Sequence, residues 1–179
     1  MIVYDGFFKV ERNGNREVVR MTDSVAFLIA DFEHGLVVLI EQSRAPMVRP
    51  DNPLGNIIEV PAGRFDCPLS VRGLIVKEGD EETGIIFTED DVMLLNKGKP
   101  LASSPGVSTE RVYLGYIEWN LEPYLSGFNK FGAPDEDEDI TRYILDVETL
   151  RMMTFDDLKT MTLVHNFLRD YDERERGKA

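Results

Sequence analysis

The sequence predicts one domain of the mixed α/β or α+β class, and three observations support this prediction. Two near-continuous apolar runs, at residues 24–30 and 36–40, flank the short segment His34-Gly35, as expected for buried strands joined by a tight turn. Apolar residues at three-to-four spacing indicate two helices, one beginning near Val71 and one near the C-terminus. A chain of 179 residues with 42% hydrophobic content can bury one core without disulfides.

The first 21 residues predict a small β arm. Two apolar segments, 7–10 and 17–21, flank Asn13-Gly14-Asn15, and an asparagine-glycine pair in this position is typical of a hairpin. An arm this small cannot bury both of its faces. The arm therefore favours pairing with a second subunit.

Further strands and one helix are predicted along the rest of the chain. Residues 57–60 form a strand that ends at Pro61, since proline cannot donate a ladder hydrogen bond. Residues 111–118 and 141–146 have the length and composition of strands. The last helix presents an apolar face made of Leu158, Met161, Val164, Leu168 and Tyr171.

Composition excludes several partners and compartments. The formal charge is −13, from 33 acidic and 20 basic residues, and no nucleic-acid partner is expected because duplex phosphates require basic neutralisation. Cys67 is the single cysteine, so no intrachain disulfide can form, which favours the cytoplasm. No apolar run approaches the roughly 18 residues of a membrane span. The first residues, Met-Ile-Val-Tyr-Asp-Gly, lack a basic leader. A soluble cytoplasmic protein without a membrane partner is expected.

The most informative segment runs from Ala62 to Ile85, where a glycine-containing loop leads into a helix with an acidic last turn. An apolar row that begins at Val71 continues, at the same spacing, to Glu78, Glu81 and Glu82. These carboxylates repel one another, and the helix dipole disfavours negative charge at this end. A hard divalent ion completed by water and a substrate phosphate would compensate them. A solvated acidic helix end is the alternative.

This segment resembles the Nudix hydrolase box, which is a glycine, five residues, a glutamate, seven residues, and then Arg-Glu-U-x-Glu-Glu-x-Gly-U, with U a bulky aliphatic residue. The positions in register are Gly63, Glu78, Glu81, Glu82, Gly84 and Ile85. Leu69 replaces the first glutamate, Lys77 replaces the arginine and Gly79 replaces the first aliphatic residue. Lysine lacks the guanidinium fork, and glycine costs a helix about 1 kcal/mol relative to alanine. The family's metal-binding glutamates match Glu78 and Glu82, so we expect a working or weakened site.

Further segments resemble the Nudix branch that hydrolyses ADP-ribose and nucleoside-diphosphate sugars. They are Gln42-Ser43-Arg44, Glu59 to Gly63, Ser104-Pro105-Gly106 through Glu110, and Glu136 to Ile140, so the resemblance covers roughly residues 24–146. It implies an α/β/α sandwich with a mixed sheet, spanning 1–179 as one Nudix domain. It also implies a homodimer that uses the arm of residues 1–21. The implied reaction is hydrolysis of the diphosphate of a small-molecule nucleoside-diphosphate substrate, with Mg²⁺ or Mn²⁺.

The resemblance also implies roles for individual residues. The metal ligands would be the Ala62 carbonyl, Glu78, Glu82 and Glu138, and the catalytic residues would be Glu136 as general base and Glu81 beside the metal cluster. Substrate contacts would come from Arg44, Gly63, Pro105, Gly106 and Glu110. Which of Glu136 and Glu138 is the base stays open, and a solvated acidic loop is the alternative for both.

Two classes of function stay open. The first is a metal-dependent pyrophosphohydrolase, acting on ADP-ribose or a related compound such as GDP-mannose. The second is a catalytically weakened Nudix-like module that binds such a ligand, which the departures at Leu69, Lys77 and Gly79 favour. The glutamates retained at positions 78 and 82 favour the enzyme.

Overall fold

The computed structural model describes residues 1–6, 8–132 and 139–178. The strands in this part of the chain are β1 (Ile2–Asp5), β2 (Lys9–Asn13), β3 (Arg16–Arg20), β4 (Ser24–Asp31), β5 (Leu36–Ser43), β6 (Asn56–Glu59), β7 (Ala62–Arg64), β8 (Val92–Leu94), β9 (Leu101–Ala102), β10 (Arg111–Glu118), β11 (Lys130–Phe131) and β12 (Ile140–Asp146). The helices are α1 (Val71–Thr83), α2 (Val147–Met152) and α3 (Leu158–Lys178).

A large mixed sheet forms the centre of the fold. Its main path runs β11-β12-β5-β4-β10-β8; β4 and β10 are parallel, and the other neighbours on this path are antiparallel. Helix α1 packs on one face, and α2 and α3 pack on the other. This arrangement confirms the predicted α/β/α sandwich. Helix α2 is not predicted by the sequence, because its six residues are too few to show a helical period.

Strand β4 is buried along its whole length because helices cover both faces of the sheet. Its side chains alternate between two cores. The core beneath α1 includes Val25, Phe27, Ile29, Leu74 and Ile75. The core beneath α2 and α3 includes Ala26, Leu28, Ala30, Leu150, Leu163, Val164 and Phe167. Burial on both sides explains the near-continuous apolar run in the sequence.

The sheet divides between β4 and β5, and this division positions the candidate site. The paired residues of these two strands are Ala30 with Val37 and Asp31 with Leu36, next to the turn that connects them. Farther from that turn, β6 pairs with β5 and β7 pairs with β4. Residues 56–64 therefore occupy the place between the two diverging strands.

The first three strands form a separate antiparallel sheet in the order β1-β2-β3. Strand β3 joins it to the body of the protein: Val19 N donates to Val107 O at 2.8 Å, and Thr109 N donates to Val19 O at 3.0 Å. The predicted β arm is confirmed, with one strand more than the predicted hairpin. Tyr4 and its neighbours Ile2 and Val3 are 51–55% exposed.

None of the helices within the described ranges is both long enough and apolar enough to cross a bilayer.

Gly79 lies buried inside α1, against the ring of Phe87. A Cβ atom at this position would lie 2.5 Å from Phe87 Cζ, which is far inside van der Waals contact. Glycine here allows the chain that follows α1 to pack an aromatic ring on the helix. The departure from the aliphatic residue of the box therefore has a packing cause.

We predict that Gly79→Ala destabilises the protein by about 1–3 kcal/mol through overpacking. Helix propensity alone predicts the opposite sign, a gain of about 1 kcal/mol. The free energy of unfolding, measured by urea denaturation, distinguishes the two. Gly177→Ala in α3 is the control, because a Cβ atom there would meet nothing within 4 Å beyond its chain neighbours and the backbone of its own helix, so it should be neutral or slightly stabilising. A Gly79→Ala variant as stable as wild type would refute the packing explanation.

Candidate functional site

A cleft of about 580 Å³ lies where β4 and β5 diverge. Of the described residues, nine charged side chains line it: the basic residues Arg44, Arg64, Lys77 and Lys159, and the acidic residues Glu59, Asp66, Glu78, Glu82 and Glu110. Strands β4, β6 and β7 and helices α1 and α3 each contribute at least one lining residue. The cleft thus offers both anionic and cationic groups to a charged ligand.

The start and end points of helix α1 place its last turn, which carries glutamates, at this cleft. The Ser70 side chain accepts a hydrogen bond from Gly73 N at the start, and Gly84 ends the helix with a left-handed φ of 65°. The face that packs on the sheet continues into the cleft as Glu78 and Glu82. Glu82 is 3% exposed.

The backbone of β7 and the glutamates of α1 fit closely together. Ala62 N donates a hydrogen bond to Glu82 Oε2 at 2.9 Å. A Cβ atom on Gly63 would overlap the carboxylate of Glu78. Glycine at position 63 thus allows the Glu78 side chain to lie directly on the strand backbone, and a larger residue would displace it.

Lys77 supplies a positive charge beside the glutamates. Its Nζ lies 2.5 Å from Glu81 Oε2 and 3.5 Å from Glu78 Oε1. Burial by itself lowers the pKa of Lys77, but the hydrogen bond to Glu81 and the two carboxylate charges outweigh it and raise the pKa above its ordinary value. The Lys77 ammonium therefore stays charged. It compensates part of the negative charge of the glutamates, for which the sequence predicts a metal ion.

An ion pair between a half-buried arginine and a buried glutamate borders the cleft at the end of β5. Arg44 Nε donates to Glu59 Oε1 at 2.7 Å, and Glu59 is 3% exposed. A buried carboxylate requires such a partner. The pair holds Glu59 in place and fixes the direction of the Arg44 guanidinium.

Glu110 lies at the edge of the cleft, just before β10. Its Oε1 accepts a hydrogen bond from Ser24 Oγ, and its Oε2 accepts one from Ser103 Oγ, both at 2.8 Å. Pro105 and Gly106 belong to an exposed turn, in which Val107 N and Ser108 N both donate to Ser104 O. That turn is also where β3 of the arm attaches.

The structure brings together part of the predicted set of site residues. Of the predicted residues, those that line the cleft are Arg44, Ala62, Gly63, Glu78, Glu82 and Glu110. Glu81, Pro105 and Gly106 are described but are not part of this lining. Glu136 and Glu138 lie outside the described residues.

Sequence reasoning missed Lys159, which reaches the cleft from the first turn of α3. Its Nζ lies 2.8 Å from Asp157 Oδ1, and Asp157 also accepts a hydrogen bond from Thr160 N. Val60 N donates to Thr160 Oγ1 at 2.9 Å, which ties α3 to the chain just after β6. An aspartate at position 157 indicates the start of a helix. The contact between Val60 and Thr160 joins residues 100 positions apart, and no local sequence pattern predicts it.

The donor atoms of the cleft fit a hard divalent ion in kind. Carboxylates and backbone carbonyls are the ligands that Mg²⁺ and Mn²⁺ prefer, and Glu78, Glu82 and Ala62 can supply them. Within the described residues, no group of three or more His, Cys, Asp or Glu side chains forms a ready metal site. Metal binding stays a prediction.

The chain is similar in sequence to two kinds of named protein. It is 33% identical over 121 residues to the GDP-mannose pyrophosphatases of Yersinia pestis (strain Pestoides F) and Yersinia pseudotuberculosis serotype O:1b, a match that covers 68% of this chain and 57% of theirs. It is 29% identical over 127 residues to the methanol dehydrogenase activator of Bacillus methanolicus, which covers 71% of this chain and 60% of that protein. The matched regions thus span less than two thirds of each relative. No family model matches the chain.

We predict that Glu82→Gln weakens Mn²⁺ binding by on the order of tenfold or more, since even indirect ligand partners cost this much. Glutamine keeps an oxygen that can accept from Ala62 N, and relief of repulsion in the acidic turn should leave the melting temperature unchanged or slightly raised. Calorimetric titration with Mn²⁺ and a thermal melt measure the two effects. Glu148→Gln, the same change on the exposed face of α2, is the control. Equal Mn²⁺ affinity in both variants would exclude Glu82 as a ligand.

Proposed function

We propose that this chain is a Nudix-type hydrolase that cleaves the diphosphate of a nucleoside-diphosphate sugar, with GDP-mannose and ADP-ribose as first candidates. The observation that carries the proposal is the fit of β7 against α1, which holds Glu78 and Glu82 in a cleft of mixed charge. The sequence motifs favour ADP-ribose. The relatives named GDP-mannose pyrophosphatase support GDP-mannose.

The residues of the cleft would divide the work on the diphosphate. Arg44, which donates to Glu59, and Lys159, which pairs with Asp157, would bind phosphate oxygens through their cationic groups. Neutralising these oxygens lowers the repulsion that an attacking water meets. Glu110, fixed by two serine hydroxyls, would accept hydrogen bonds from hydroxyls of the sugar.

A divalent ion would be held by Glu78, Glu82 and the Ala62 carbonyl, with Glu138 as a further ligand. When bound, such an ion neutralises phosphate charge and lowers the pKa of water. Glu136 would take the proton of the attacking water as general base. The water oxygen joins one phosphorus, the bridging phosphoanhydride bond breaks, and two monophosphates result. Glu136 and Glu138 enter this scheme from the sequence resemblance alone.

The departures from the box leave the cleft-lining glutamates of α1 in place. Gly79 accommodates Phe87, and Lys77 bonds to Glu81. Leu69 is 41% exposed ahead of the helix. These placements support an enzyme over a weakened module. The second candidate, a module that binds the ligand without turnover, is favoured by the departures from the box at Leu69, Lys77 and Gly79.

We predict that the purified protein hydrolyses GDP-mannose to GMP and mannose 1-phosphate, or ADP-ribose to AMP and ribose 5-phosphate, with Mg²⁺ or Mn²⁺. A panel of nucleoside-diphosphate sugars, resolved by ion-exchange chromatography, measures the products and ranks the substrates. Glu82→Gln should lower turnover, and Glu148→Gln should not. A folded wild-type protein that hydrolyses no member of the panel would exclude the enzyme. Saturable binding of a member without products would establish the binding module.

We further propose a homodimer formed through the arm. Both faces of β1 are exposed, and its apolar side chains Ile2, Val3 and Tyr4 are each more than half exposed. Apolar side chains grouped on a small sheet are typical of a surface that another chain covers.

We predict that Tyr4→Glu shifts the dimer to monomer, because burial of an unpaired carboxylate at an interface is costly. Sedimentation velocity at micromolar concentration measures the shift. Asn15→Glu adds the same charge at the exposed hairpin turn and should keep the dimer. A wild-type monomer, or a Tyr4→Glu variant that stays dimeric, would contradict this arrangement.

A further inference from the structure

Arg142 of β12 is a buried guanidinium that joins three parts of the fold, with 7% of the residue exposed. Its Nη1 donates to Thr83 O at 2.5 Å, and its Nη2 donates to Phe128 O at 3.0 Å and to Tyr124 O at 3.4 Å. The guanidinium carbon lies 4.9 Å from the centre of the Phe131 ring. The acceptors of these bonds are backbone carbonyls. Arg142 therefore connects the backbone at the end of α1 to the backbone of the segment before β11.

The bond to Thr83 acts on the end of α1. Thr83 is the last residue of this helix, and the final carbonyls of a helix have no partner within it and carry the negative end of the dipole. A guanidinium at this point both satisfies a carbonyl and opposes the negative charge. It therefore stabilises the turn that carries Glu81 and Glu82.

A second bond fixes the same turn to the same part of the chain. Gly132 N donates to Glu81 O at 3.2 Å. The backbone of Arg142 is itself anchored, because its N–H donates to Asn129 O at 2.7 Å. The last turn of α1 and residues 124–132 are thus held together by one guanidinium and one backbone bond.

We propose that Arg142 is a positioning residue for the hydrolysis, a role that rests on the proposed function. Arg142 is not among the described residues that line the cleft. It holds the last turn of α1 in the orientation in which Glu82 accepts from Ala62 N and faces the cleft. Loss of the guanidinium allows this turn to shift. Metal binding and turnover then suffer, while the contacts of Arg44 and Lys159 with the substrate stay.

The test compares Arg142→Lys and Arg142→Met in the full chain. We expect Arg142→Met to lower kcat by about 10- to 100-fold, the cost of a small misplacement of reacting groups, with KM for the nucleotide sugar changed less than about threefold. The Mn²⁺ concentration for half-maximal activity should rise in parallel. Arg142→Lys keeps the charge and one donor to Thr83 O, so it should recover part of both losses. Phe131→Leu removes the ring beside the guanidinium and is the milder variant if Arg142→Met does not fold.

The control is Phe167→Leu, a change in the core beneath α3 that should lower the melting temperature without touching the cleft. If the Arg142 variants lose stability like this control and keep wild-type kcat and Mn²⁺ requirement, Arg142 is structural and the inference is overturned. If wild type hydrolyses nothing, the proposed function fails. Calorimetric Mn²⁺ binding then decides the inference separately: weaker binding by Arg142→Lys than by Phe167→Leu supports it, and equal binding overturns it.

Discussion

The close fit between the backbone of β7 and the acidic face of α1 is the contact on which the rest of the site depends. It requires glycine at position 63, because any larger residue would displace the Glu78 carboxylate. It also requires the N–H of Ala62 to face α1, where it binds Glu82. Strand β7 can occupy this place because β4 and β5 diverge and leave room for residues 56–64. The position of the glutamates therefore depends on the divergence of β4 and β5, because that divergence makes room for β7.

The cost of grouping carboxylates at a helix end explains the cations found around it. Two like charges 4 Å apart repel by about 1 kcal/mol in water, but by about 4 kcal/mol at the effective dielectric constant of about 20 that suits a protein site. Glu82 is buried, so the larger figure is the relevant one. Lys77 opposes the charge from within α1, and Arg142 of β12 donates to the Thr83 carbonyl at the end of the same turn. Lys77 thus supplies part of the compensation within the protein itself.

Long elements with a clear period are predictable from the sequence, and short elements and distant contacts are not. Strands β4 and β5 and helices α1 and α3 bury a continuous row or face, and this leaves a pattern. Strands of two or three residues, such as β7 and β11, owe their form to the neighbours that pair with them. From the sequence alone, Gly79 is expected only to destabilise the helix. The reason for it, the ring of Phe87, lies in the chain after the helix and is not visible in the helical pattern. Lys159 and Arg142 escape sequence reasoning because the other residues of the cleft that Lys159 lines, and the Thr83 carbonyl that Arg142 binds, are distant along the chain.

The carboxylates of the cleft are already engaged by the protein, and this determines what a metal would have to displace. Glu82 accepts a hydrogen bond from a backbone N–H, which holds one of its oxygens in place. Glu78 lies 3.5 Å from the Lys77 ammonium, a distance at which the pair is loose. The Lys77 ammonium is closer to Glu81, at 2.5 Å. A cation entering beside Glu78 therefore competes weakly with Lys77, since that ammonium keeps its stronger partner. Glu81, although outside the cleft lining, is thus the closer partner of Lys77 and leaves Glu78 with the longer contact.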